Sequence, residues 1–82
     1  MKKIKFVVGP NKDRVEDYAR ENKLGLKEYV YLREDYQLRG IDAKTIEFVY
    51  LDGWWGNSYY ERKDFDDLVR MYVILGAKKT YA

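Results

Sequence analysis

Apolar and polar positions along this chain follow two different periods, and the change of period marks its elements. Residues 4–8, Ile-Lys-Phe-Val-Val, form a short β-rich run closed by Gly9-Pro10, which is the composition and punctuation of a strand. Asn11 stands where a helix N-cap belongs. A charged segment then runs to Lys23, in which Val15, Tyr18 and Ala19, extended by Leu24 and Leu26, make one apolar stripe at helical spacing. Glu16 and Arg20 sit four apart in the favourable order on the remaining face, and Gly25 supplies a C-terminal stop. A second β run covers Glu28–Leu32. Residues 33–43 read as a loop with one helical turn around Asp35–Arg39. The third and strongest β run is Thr45–Leu51, followed by the glycine-hinged aromatic loop Asp52-Gly-Trp-Trp-Gly-Asn-Ser-Tyr-Tyr. A last helix is predicted from about Lys63 to Leu75, with Phe65, Leu68, Val69, Tyr72, Val73 and Leu75 apolar. Asp64, Asp66 and Asp67 match the dipole of its first turn, and Gly76 closes it.

The order is therefore β-α-β-(turn)-β-α, and strands that alternate with helical segments argue for a parallel sheet. Right-handed crossovers place the first helix on one face and the 33–43 connection on the other. The expected fold is a single small α/β domain spanning residues 1–82: a three-stranded parallel sheet in the order 2-1-3, flanked by helices. Its two open edges and incompletely covered faces predict a symmetric dimer, since exposed edges and aromatic patches are normally paired or capped.

Composition narrows the chemistry. Cys and His are absent and Ser58 is the single serine. Disulfides, thiolate nucleophiles, Cys-based zinc sites and the usual general base are thereby excluded. Sixteen Lys and Arg against fourteen Asp and Glu leave a net charge of +2, far from the basic excess of a protein held on DNA by phosphate contacts. Lys2, Lys3, Lys5 and Lys12 precede the first acid and read as a solvated strand end. No apolar run approaches the ~20 residues of a membrane span, and the opening Met-Lys-Lys-Ile-Lys lacks a signal-peptide core before Gly9-Pro10. A cytoplasmic, non-membrane protein is expected.

Few residues are placed to do chemistry. The Gly9-Pro10-Asn11-Lys12-Asp13 turn occupies the position of a phosphate loop, but it matches neither Gly-x-x-x-x-Gly-Lys-Ser/Thr nor Gly-x-Gly-x-x-Gly, and Asp13 and Glu16 oppose an anion. Asp66 and Asp67 point about 100° apart on a helix, a poor shared site. Asp52 ends the third strand at the carboxyl edge where α/β sites form, yet Asp-Gly is also turn chemistry. Arg39 with Asp42 makes a turn ion pair or a surface contact. No catalytic residue, cofactor or metal is expected, and hence no enzyme. The feature out of proportion is aromatic: Phe48, Tyr50, Trp54, Trp55, Tyr59 and Tyr60 are six of fourteen aromatics. Adjacent residues rarely both point inward, so one of Trp54 and Trp55 is expected to lid the small core while the other faces solvent or a partner. Trp and Tyr dominate protein-binding hot spots, whereas stacking on nucleic acid needs a positive groove, which Asp52, Glu61 and Asp64 deny. The candidate partner-binding set is Trp54, Trp55, Tyr59, Tyr60, Asp52 and Arg39. The alternative is a nucleotide or nucleic-acid accessory factor working at the carboxyl edge with the N-terminal lysines.

Val-Val-Gly ending the first strand, Tyr-Ala-Arg-Glu-Asn in the first helix, Gln-Leu-Arg-Gly-Ile before the third strand and Leu-Asp-Gly-Trp-Trp after it together resemble small bacteriophage α/β proteins, cut-down Rossmann or P-loop-like domains without nucleotide motifs. The resemblance spans about Ile4 to Leu75. It implies a phage-encoded, non-catalytic protein that binds a bacterial host or defence protein and inhibits it. It carries over no catalytic residue.

Overall fold

The computed structural model describes residues 3–61 and 63–82. The elements follow as β1 (Ile4–Val8), α1 (Lys12–Glu21), β2 (Tyr29–Tyr31), β3 (Ile46–Tyr50), α2 (Lys63–Ile74) and β4 (Lys78–Tyr81), with short 3-10 turns at Asp35–Leu38, Ala43–Thr45, Trp54–Gly56 and Ser58–Glu61. The strands form one sheet in the order β2-β1-β3-β4, with every pair parallel. The fold is α/β.

The sequence pattern gives three strands, and among the described residues the sheet has four. The fourth, Lys-Lys-Thr-Tyr, has exposed side chains except for the half-covered Thr80. It is held by main-chain pairing to β3, with Glu47 opposite Lys78 and Tyr50 opposite Tyr81. A strand with no buried side chain writes no hydrophobic alternation into the sequence.

Register partners in a parallel sheet share a face, and this sorts the core into two layers. Phe6, Val8, Ile46, Phe48 and Tyr50 point toward α2 and the 3-10 turns, where Leu32, Leu38, Tyr60, Phe65 and Val69 complete the larger cluster. Val7, Val49 and Leu51 point the other way and meet Val15 of α1 in a smaller one. The β1→β2 crossover therefore lies on one face and the β2→β3 and β3→β4 crossovers on the other, as right-handed connections require. α1 packs so close to the sheet that a Cβ on Gly9 would stand 2.8 Å from Val15 Cγ2 and 3.1 Å from Leu51 Cδ1.

Both helices end in the same motif. In α2, Gly76 takes φ 121°, and Ala77 N–H donates back to the Tyr72 carbonyl. In α1, the reversal comes two residues before the Gly25 that the sequence suggests. Lys23 adopts φ 55°, and the Lys23 and Leu24 N–H groups donate to the Arg20 and Ala19 carbonyls, a Schellman closure with lysine where glycine is usual. The early stop leaves Leu26 outside the helix and exposed. Gly25 instead opens the turn into β2, its carbonyl accepting from Glu28 N–H at 2.9 Å.

Candidate functional site

The strand order reverses between β1 and β3, and in open α/β sheets ligands enter at the carboxyl ends of such strands. Here that crevice is occupied by the chain itself. Gly53 turns the chain with φ 81° beside Pro10, and the two 3-10 turns of residues 54–61 lie across the strand ends. Asn57 is the fastener: its Nδ2 donates to the Gly9 carbonyl at 3.2 Å and to Tyr31 Oη at 2.9 Å, while its Oδ1 accepts from Tyr59 N–H at 3.0 Å. Tyr60 is buried and its hydroxyl donates to the Leu32 carbonyl. On the facing loop, Asn11 Oδ1 accepts from Arg14 N–H at 2.9 Å, so the first turn of α1 is capped by its own side chain. Among the described residues no group of three or more acidic, His or Cys side chains could hold a metal ion.

The aromatic loop is thus a packed cover with one outward residue. Trp54 is half-buried and stands edge-on to Tyr50 at 5.0 Å and to Tyr60 at 6.2 Å, centroid to centroid. Tyr60 packs on Phe65 at 4.7 Å, and Tyr59 lies against both. Trp55 stands edge-on to Trp54 at 6.3 Å but is 63% exposed. Tyr81 of β4 adds to the other end, 5.2 Å from Tyr50. The rings Trp55, Trp54, Tyr50 and Tyr81 therefore form a continuous strip from the carboxyl edge to the last strand. Beside it runs a groove of about 420 Å³ between β4 and α2, walled by Val69, Val73 and Ile74, with Asp66, Arg70 and Lys79 at its rim. Lys79 Nζ sits 4.8 Å over the Tyr50 ring and 5.3 Å from that of Tyr81, within cation–π range.

Burial raises the Tyr50 hydroxyl far above the usual phenol range, with the Asp66 charge adding to it, and burial does the same at Tyr60. Both stay neutral: the Tyr60 hydroxyl is a structural donor, and both residues serve as packed ring surfaces. The opposite face of β3 and β4 carries a polar layer. Glu47 accepts from Lys5 Nζ at 3.1 Å and from Thr80 Oγ1 at 2.7 Å. Burial opposes the charge on Glu47, but those hydrogen bonds and the nearby Lys5 and Lys78 ammonium groups outweigh it and hold the carboxyl below its usual value.

Of the residues the sequence singles out, the structure brings Trp54, Trp55, Tyr59 and Tyr60 together on one cover. Asp52 is exposed in the turn that leads into it, beside Arg14 and Tyr18. Arg39 is carried by a different connection, exposed at the end of the Asp35–Leu38 turn. Sequence reasoning missed Asn57 as the crevice plug and the Ile74–Tyr81 extension of the apolar surface. The signal for the second was present: Ile74 and Leu75 lie off the core-facing stripe of α2. No protein-family model matches the chain, and comparisons with curated proteins and with solved structures return no match.

Proposed function

We propose that the chain is a non-catalytic, phage-encoded protein-binding module that docks on a bacterial host or defence protein through Trp55 and the aromatic strip behind it, and inhibits that protein. The observation that carries this reading is the exposed Trp55 indole, braced edge-on by the half-buried Trp54. A large ring held in place before binding loses little conformational entropy on docking, which is the property of an anchor residue. Two short 3-10 turns fastened by Asn57 supply the rigidity. The second reading, a nucleotide or nucleic-acid accessory factor at the carboxyl edge, has Asn57 lying across the crevice it needs.

The test compares wild type, Trp55→Ala and Trp54→Ala in thermal melts and in pull-downs from bacterial lysate with the retained protein identified. Truncating an anchor indole costs about 2–4 kcal/mol, roughly 30- to 1,000-fold in affinity. Trp55→Ala is expected to keep the wild-type Tm and lose the retained protein. Trp54→Ala is expected to lose about 2–4 kcal/mol of stability, since it removes a ring packed on two others. A folded Trp55→Ala that retains the same partner, or one that unfolds, overturns the reading.

A further inference from the structure

The two outer edges of the sheet differ. β2 is three residues long, and Gln37 Nε2 donates to its outward Tyr31 carbonyl at 3.2 Å. β4 is longer and bare. Tyr50 is in register with Tyr81, and Ala82 N–H donates to the Tyr50 carbonyl. In a parallel ladder alternate residues address the same neighbour, so Thr80 and Ala82 face β3 while the N–H and C=O groups of Lys79 and Tyr81 point away from the sheet. No strand lies beyond them among the described residues. α2 overhangs this edge: Val73 and Ile74 line the groove together with Lys79 and Tyr81, and Ile74 is 78% exposed.

A strand laid beside β4 would send alternate side chains to two different environments. On the α2 face they would enter the groove beneath Val73 and Ile74, against the Tyr81 ring. On the other face they would lie beside Lys78, in a hollow where Lys3, Lys5 and Lys78 stand against Glu28 and Glu47 and leave an excess of one positive charge. We propose that the outer edge of β4 accepts an extended segment of the partner protein as a fifth strand, with acidic side chains alternating with apolar ones. This inference rests on the reading of the chain as a protein-binding module and names the chemistry of what it binds. Main-chain hydrogen bonds supply affinity in such strand addition, and the alternating pockets supply specificity.

Charge selects the occupant. Two copies paired edge to edge would set Lys78 against Lys78 on one face and Lys79 against Lys79 on the other, and edge lysines are a common guard against self-pairing. The same lysines attract an acidic strand, so one feature rejects a second copy and admits a complementary partner.

The experiment titrates isotope-labelled protein with two blocked synthetic hexapeptides, one alternating Glu with Val and the other Lys with Val, and follows amide hydrogen exchange. The Glu-Val peptide is expected to slow exchange at Lys79 and Tyr81 at least tenfold, and the Lys-Val peptide to leave them unchanged. The double change Lys78→Gln and Lys79→Gln, shown folded by its melt, should weaken the Glu-Val peptide at least tenfold, while Trp55→Ala should leave its binding intact. Equal effects of the two peptides, no protection by either, or protection that grows with protein concentration alone (a second copy on the edge) each overturn the proposal. Protection that survives in a Trp55→Ala protein still holding its cellular partner removes the Trp55 reading alone, and loss of that partner with no peptide protection removes the edge alone.

Discussion

Lys23 shows how a single backbone angle can set an element boundary. It occupies the left-handed position that ends α1, with φ 55° and the Ala19 and Arg20 carbonyls satisfied by the two N–H groups around it. A residue with a Cβ costs about 1–2 kcal/mol in that conformation, and glycine avoids the cost at some expense in unfolded-chain entropy. Lys23→Gly is therefore expected to stabilise the protein by about 0.5–1 kcal/mol, read as a higher urea midpoint at unchanged slope. A midpoint that falls would show that the lysine side chain does more than fill the turn. Gly25, two residues on, looks from sequence like the better stop. Yet the carbonyls of α1 are closed at Lys23, and Gly25 is used in the next turn, where its carbonyl accepts from Glu28 N–H.

At the scale of elements, legibility followed burial. The pattern places β1, β3 and α2 within a residue or so of their observed bounds because their apolar positions face a core: Phe6 and Phe48 in the strands, Phe65 and Val69 in the helix. β4 escaped because nothing in it is buried, and the cover over the carboxyl edge could be read only in part. That one of two adjacent tryptophans would point inward followed from their adjacency, and Trp54 does. That Asn57 would reach Gly9 and Tyr31 did not follow, since those pairings join residues 48 and 26 positions apart. The cover is fastened at its other end by Tyr60, whose hydroxyl serves the Leu32 carbonyl inside the core. Tyr60→Phe keeps the ring and strands that carbonyl, so a loss of about 1–3 kcal/mol is expected from urea unfolding. A loss below a few tenths would mean that another donor replaces the hydroxyl. In the folded Tyr60→Phe variant, exchange of the Leu32–Glu34 amides should also quicken.

For the whole molecule, the polar layer on the α1 side ties three strands together. Glu47 of β3 takes hydrogen bonds from Lys5 of β1 and Thr80 of β4, and its side chain is 14% exposed. Its folded-state pKa lies below the ordinary value of 4.5. The stabilisation is therefore present above that value and is lost as pH falls through the lower folded one. Glu47→Gln is expected to be less stable than wild type at pH 7, with the gap closing in urea melts below about pH 4. A gap that stays constant to pH 3 would assign the effect to packing and neutral hydrogen bonding instead of charge.

The pairing of Trp54 and Trp55 also gives the molecule an optical property. They are the only two indoles in the chain, and they stand edge to face on the surface proposed to dock. Tryptophan emission, excited beyond the absorption band of the nine tyrosines, therefore reports on that surface. Trp55, in water, dominates the red side of the emission and lies open to iodide quenching, while Trp54, flanked by Tyr50 and Tyr60, contributes the shielded blue component. Anything that seats on the strip must dry one indole and leave the fold untouched, so docking has a spectral signature distinct from unfolding: a blue shift with loss of quenching, where unfolding moves the shielded Trp54 component to the red.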